Sequence, residues 1–299
     1  MRFFTSLCVL LSVSLLTAQD VGDVVVVTVE KSAELTDDDG EAVTTVPTCA
    51  HLVVVRANDE AYWVRNQANY LAGWIRKDQV VPVERAVEFF SQQIREDLTS
   101  RSHRYRGIAY MERGEYEKAI EDFTEAIRLD PNRPDAWNFR AGCYRHLGRY
   151  DEAIADCDEA IRLAPRWVAP YTSRGVVWQN KGEYGKAIAD YQKVIELDPN
   201  SVRGHNNLAW IRATCPDGKF RDGEKAVESG IKACELSNWK AHYALNTLGA
   251  AYAEKGDFQK AIEYEQKARE LYPEDEKKRW EFLIEQYRSG QPYRQDDPE

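Results

Sequence analysis

The chain of 299 residues is poor in the side chains that usually do chemistry: five histidines, two methionines and six cysteines. His51, His103, His146, His205 and His242 form no H-x-x-x-H or H-E-x-x-H, so no helix face offers the paired imidazoles of a zinc site. There is no G-x-S-x-G, no phosphate-binding loop and no dinucleotide fingerprint. None of the cysteines sits in a C-x-x-C. Asp37-Asp38-Asp39-Gly40 lacks the remaining ligands of a calcium loop and reads as a hairpin turn. These absences predict a protein that is not an enzyme and that needs no metal or other cofactor.

Positive charge is also short, with 40 Lys and Arg against 50 Asp and Glu and a net charge of -10. Phosphate binding needs clustered cations, so nucleic acid is not an expected partner. Hydrophobic residues make up 43% of the chain, enough for packed cores in about two domains. Long apolar runs are missing beyond the first 18 residues, and nothing later is suited to crossing a membrane. Residues 1–18 run from Met1-Arg2 through the apolar Phe3 to Leu16 into Thr17-Ala18, then polar Gln19-Asp20. This reads as a secretory signal peptide cut after Ala18, giving a periplasmic or secreted protein; the alternative is an uncleaved N-terminal anchor. Cleavage removes Cys8 and leaves Cys49, Cys143, Cys157, Cys215 and Cys234, an odd number best read as small buried residues. Cys143 and Cys157 are the one pair expected on two antiparallel helices of a single hairpin.

What the sequence has in abundance is repetition. Lys118-Ala119-Ile120, Glu152-Ala153-Ile154 and Lys186-Ala187-Ile188 recur 34 residues apart, as do Pro131, Pro165 and Pro199. Lys225-Ala226-Val227 and Lys260-Ala261-Ile262 continue the series at spacings of 39 and 35. Each unit has the grammar of a helical hairpin. The first helix carries a small residue and, three positions on, an aromatic: Gly107 and Tyr110, Ala141 and Tyr144, Gly175 and Trp178, Gly249 and Tyr252. Gly114, Gly148, Gly182 and Gly256 then stop that helix, since glycine accepts the left-handed conformation of a helix end. The second helix sets Ala and, four residues later, Phe123, Cys157 or Tyr191 on one face, and proline closes it.

Trp137, Ala141, Tyr144, Ala153 and Pro165 resemble the tetratricopeptide repeat (TPR) pattern W-x2-L-G-x2-Y, A-x3-F, P. Arg140 replaces the usual Leu, and Arg106 and Arg174 repeat the replacement as a subtype trait. The resemblance implies a mainly α fold, a right-handed superhelix of five hairpins at 100–133, 134–167, 168–201, 202–238 and 239–273. Residues 84–99 read as a bridging helix, 274–288 as a terminal cap and 289–299 as a polar tail expected to fray. The fourth unit is irregular. Arg212 stands in its aromatic position, Gly230 in its large second-helix position, and the loop 214–223 is about five residues long in excess. That loop is similar to an A-T-C-P-D-x-x-x-R-D-G signature of exported bacterial TPR proteins. It reads as a structural variant whose Asp222 caps the next helix, with a ligand loop as the alternative.

Residues 19–83 are β-rich instead, with runs at Val24–Val29, Val53–Arg56, Tyr62–Arg65 and Gly73–Arg76. They resemble a bacterial SH3-like barrel. Trp63 and Trp74 either line a groove for a peptide of the cell wall or pack inside. In a TPR superhelix the first helices line the concave side. The resemblance therefore puts Arg104, Asn138, Thr172, Asn206 and Asn246 in one polar row, with Ile108, Gly142, Val176, Trp210 and Ala250 one turn on. An Asn row suits the backbone of an extended peptide, and Trp210 is the expected anchor. The alternative is that both rows only face water. The expected function is a non-catalytic scaffold or adaptor that binds a protein or peptide. The alternative is a cell-envelope accessory protein whose SH3-like module contacts wall peptide while the repeats support it.

Overall fold

A computed structural model describes residues 24–27, 32–37, 39, 41–47, 51–57, 60–66, 72–76, 79–271 and 281–295. The leader 1–18, with Cys8, and Cys49 lie outside the described residues. The chain forms two compact units, residues 1–122 and 123–299.

The first unit opens with seven strands: β1 (Val24–Val27), β2 (Ser32–Thr36), β3 (Ala42–Pro47), β4 (His51–Ala57), β5 (Ala61–Asn66), β6 (Ala72–Arg76) and β7 (Val80–Pro82). They make one antiparallel sheet in the order β3-β2-β6-β5-β4-β1-β7. Among the described residues no pairing joins β3 to β7, so closure into a barrel is not seen. β2 and β3 add a hairpin to the strands read from the sequence. Its turn is held by Asp37, whose Oδ1 accepts the N–H groups of Asp39 and Glu41, each at 2.9 Å. Leu35, Val64, Ile75 and Val80 are buried. Trp63 and Trp74 are register partners on β5 and β6; their side chains lie outside what the structure describes.

Helix α1 (Val83–Glu96) follows β7 directly, and Thr99 caps α2 (Ser100–Glu112) through a reciprocal box with Ser102. The helices then alternate in pairs. They are α3 (Tyr116–Leu129), α4 (Pro134–His146), α5 (Tyr150–Leu163), α6 (Val168–Asn180), α7 (Tyr184–Leu197) and α8 (Val202–Thr214). A short 3-10 turn at Gly218–Phe220 precedes α9 (Gly223–Leu236), α10 (His242–Lys255), α11 (Phe258–Leu271) and α12 (Glu281–Arg288). Among the described residues no helix is long and apolar enough to cross a membrane.

The turn inside each regular hairpin is built the same way. Gly148, Gly182 and Gly256 have φ of 71°, 77° and 89°. The next residue's N–H returns to the carbonyl of the first-helix aromatic: Arg149 to Tyr144, Glu183 to Trp178 and Asp257 to Tyr252, at 2.8–2.9 Å. Orphan carbonyls at the helix end are thereby satisfied. The small residue of the first helix lets the second approach. A Cβ on Gly175 would lie 2.6 Å from the Tyr191 ring, and one on Gly249 3.1 Å from the Ala261 carbonyl. Between hairpins, Trp137 Nε1 and Tyr171 O–H donate to the carbonyls of Pro131 and Pro165 at 3.0 and 3.1 Å. His205 Nε2 sits 3.1 Å from the Pro199 carbonyl in the same way, which places its proton on that nitrogen. Cys143, Cys157, Cys215 and Cys234 are buried free thiols, and burial pushes Cys143, Cys157 and Cys234 up to about 12.

Candidate functional site

The arginine that replaces the family leucine has a defined partner. Arg140 Nε and Nη2 donate to the two Asp156 oxygens at 2.7 and 2.8 Å, and Arg174 does the same to Asp190 at 2.9 and 2.6 Å. In the first unit Arg106 donates to both oxygens of Asp122, at 2.8 Å each. The spare nitrogen of each reaches the preceding helix: Arg106 to Ser91, Arg140 to Thr124, Arg174 to Asp158. One planar fork therefore joins the two helices of a hairpin and ties that hairpin to the helix before it. The Asp190 hydrogen bonds raise the pKa of Arg174 above its ordinary value. This ladder is structural. Its sequence signal, Arg followed 16 residues later by Asp in the first three repeats, is visible only once the Arg is asked for a partner.

The irregular loop is held by its own residues. Asp217 Oδ1 accepts from Lys219 N and Asp222 Oδ1 from Lys225 N, each at 3.1 Å, so Asp222 caps α9. Arg221 Nη1 donates to the carbonyls of Cys215 and Pro216 at 2.7 and 2.8 Å, and its Nε to Glu254 Oε1 at 3.1 Å.

The expected binding rows separate on inspection. Asn138 and Asn206, at matching positions of α4 and α8, each keep a buried side-chain oxygen that has no hydrogen-bond partner among the described residues. Asn206 Nδ2 makes a long 3.4 Å bond to Asn207 Oδ1. Thr172, between them in sequence, donates to the Val168 carbonyl of its own helix. Asn246 departs from its expected role: it is 4% exposed, and its Nδ2 donates to both Glu265 oxygens at 3.0 Å. The cause lies on α11, where Glu265 occupies the place held by Phe123, Cys157 and Tyr191 in the regular hairpins. Burial raises the Glu265 carboxyl to about 7, with the Asn246 hydrogen bonds opposing. Arg104 and Ile108 of the first unit, expected at an open face, are likewise buried. Arg104 lies over the Tyr105 ring at 5.1 Å. Val176 packs on the cluster of Tyr191, Leu208 and Ile211. Trp210 is half-buried, with the Tyr293 ring 5.8 Å away.

Continuing the two rows by one more helical turn reaches residues outside the expected rows: Gln179 on α6, Thr214 on α8 and Glu254 on α10. All three meet the chain beyond α12, Gln179 and Thr214 through hydrogen bonds and Glu254 through an ion pair. Gln179 Nε2 donates to Gln295 Oε1 at 2.9 Å, and Gln295 N donates to the Thr214 carbonyl at 2.9 Å. Arg294 Nη2 pairs with Glu254 Oε2 at 2.6 Å. The tail expected to fray is therefore pinned as far as residue 295. Its polar composition predicts solvation, but these partners come from three separate hairpins that the sequence does not bring together. Among the described residues no group of three His, Cys, Asp or Glu is gathered to hold a metal.

Hairpins of paired helices, stacked through a recurring small-residue contact and a recurring glycine stop, define a helical-repeat solenoid. Residues 106–166, 168–201 and 242–275 each match models of the tetratricopeptide repeat, so these stretches are TPR units within a mainly helical fold. These three stretches leave out 202–241, where the irregular unit lies. No curated protein matches the chain. Among solved structures, the Cut9-Hcn1 hetero-tetramer of the APC/C is similar at 19% identity and TM-score 0.60, over 69% of this chain and 40% of that one. Yeast Tom70 is similar at 20% identity and TM-score 0.55, over 68% of this chain and 43% of its own. The chain thus spans about two fifths of these two relatives, and the likeness is one of fold. The first TPR of Spaghetti, bound to an HSP90 peptide, aligns at 28% identity and TM-score 0.36, over 36% of this chain and 86% of its own.

Proposed function

We propose that the protein is a non-catalytic interaction scaffold that holds an extended peptide segment of a partner protein against the first helices of the unit 123–299. The observation that carries this reading is the pair of buried amide oxygens on Asn138 and Asn206. A buried acceptor left without a donor costs about 1–3 kcal/mol, and a peptide N–H is a group of the right kind to supply one. Trp210 stands one turn beyond Asn206 and offers the large half-buried surface that usually dominates binding energy. Thr172 and Val176 complete the face; Asn246 supports it from within through Glu265.

The test is capture of partners from native cells by full-length protein, with crosslinking and mass spectrometry. The Asn138→Ala/Asn206→Ala/Trp210→Ala variant is expected to lose its partners by ten-fold or more while far-ultraviolet circular dichroism is unchanged. Undiminished capture excludes this face.

We place the protein outside the cytoplasm, with residues 1–18 as a cleaved leader and 19–83 as an SH3-like module. The cross-strand placement of Trp63 and Trp74 favours a contact of that module with wall peptide as a second reading. Mass spectrometry of the protein from its native cell is expected to find Gln19 as the first residue. A chain that retains Met1 removes the cleaved leader from this account.

A further inference from the structure

The segment after α12 is aimed, not loose. Gly290 has φ of 73° and donates to the Tyr287 carbonyl, and Gln291 N donates to the Gln286 carbonyl at 3.1 Å. This is the same left-handed stop that ends the first helices. Pro292 follows, and Gln286 Nε2 donates to its carbonyl at 3.2 Å, so the exit direction is fixed on both sides of the proline.

Three consecutive residues then meet three hairpins. The Tyr293 ring lies against Trp210. Arg294 Nη2 pairs with Glu254, while its Nη1 stands 3.4 Å from the Ala213 carbonyl. Gln295 offers its backbone N–H to Thr214 and its side-chain oxygen to Gln179. Ala213 and Thr214 belong to the last turn of α8, whose carbonyls lack intrahelical donors and carry partial negative charge, so they favour an N–H donor and a cation. The receiving groups are themselves braced. Arg221 of the irregular loop holds the other oxygen of Glu254, and the Tyr191 hydroxyl donates to Gln179 Oε1 at 3.2 Å. An aromatic contact, a fixed carboxylate, a backbone acceptor and an amide are the set that reads an extended peptide.

We infer that Gln291–Gln295 is an internal ligand of this face, and that the partner displacing it is an extended peptide with an aromatic residue followed directly by arginine. The inference rests on the peptide-binding reading above and names the chemistry that the site selects. The tail holds the face in a self-occupied state, and a partner's apparent affinity is lowered by the fraction of molecules in which the tail is seated.

The experiment uses full-length protein and a synthetic peptide of residues 289–299, titrated by calorimetry to about 1 mM, the scale of effective concentration a short tether provides. The Tyr293→Ala/Arg294→Glu variant is expected to bind the peptide at least ten-fold more tightly than wild type. Adding Glu254→Gln to that variant removes most of the gain. Hydrogen exchange over 289–295 is expected to be slowed in wild type and to reach the unstructured rate in the variant. Equal affinity for both proteins, no binding to the folded variant, or an unprotected wild-type tail each overturns the inference. Loss of partner capture in an Asn138→Ala/Asn206→Ala variant, which keeps Trp210 and its Tyr293 contact, reports on the face as a partner site, whereas the peptide titration reports on the tail. The two failures are therefore distinguishable.

Discussion

Glu265 has no exposed surface, and its carboxyl is lifted by burial from an ordinary 4.5 to about 7. The folded state then binds more protons than the unfolded state between these two values, so stability falls as pH rises from about 4.5 to about 7 and stays low above it. At 1.36 kcal/mol per unit the change is on the order of 3 kcal/mol. Glu265→Gln keeps an acceptor for Asn246 and removes the proton. It is expected to raise the thermal midpoint at pH 8 and to flatten the pH dependence between 5 and 7 in calorimetric scans; an unchanged slope rules Glu265 out as its source. The same residue explains a misread position. Asn246 shares its place in the repeat with Asn138, but which way that place faces depends on the residue 19 positions later. Where that residue is Cys157, the Asn138 oxygen lacks a partner; where it is Glu265, the amide is taken.

At the level of helices, the hairpin grammar was legible because each signal is local. The glycine stop, the proline close and the small-residue contact all act within a few residues of themselves, and all three are found where the pattern puts them. The loop cap at Asp222 was readable for the same reason. The Arg and Asp ladder was only half readable: Arg140 recurs visibly, but its partner sits on the next helix. The pair is mostly shielded, with Arg140 at 13% and Asp156 at 7% side-chain exposure, so removing one member strands a charge. Arg140→Leu alone is expected to lower stability by about 3 kcal/mol in urea titrations. Arg140→Leu/Asp156→Leu, which restores the family leucine and removes the stranded acid, recovers most of that loss. A double variant no better than the single one would mean that the pair does not act as a unit.

For the molecule as a whole, periodicity announces a repeat array but not where the array changes character. In the fourth hairpin Leu208 takes the arginine's place and Ser229 the aspartate's. Arg212 comes in from one turn later and donates to the Ser229 hydroxyl at 3.3 Å, in place of the two-pronged carboxylate bond. The backward tie that Arg174 makes to Asp158 therefore has no counterpart from Leu208 toward α7. The tail ties the fourth hairpin to the third at another place, since Gln295 touches both α6 and α8. In mechanical terms the unit 123–299 resembles a zip whose pull-tab is folded back over its weakest tooth. Stretched from its ends in an optical trap, it is expected to yield first in a small step as the tail lifts. The block from α8 to α12 then opens before α4–α7, and unfolding in the reverse order would contradict this. A partner that lifts the tail would thus do more than uncover a surface: it would leave the repeat array compliant at one chosen joint.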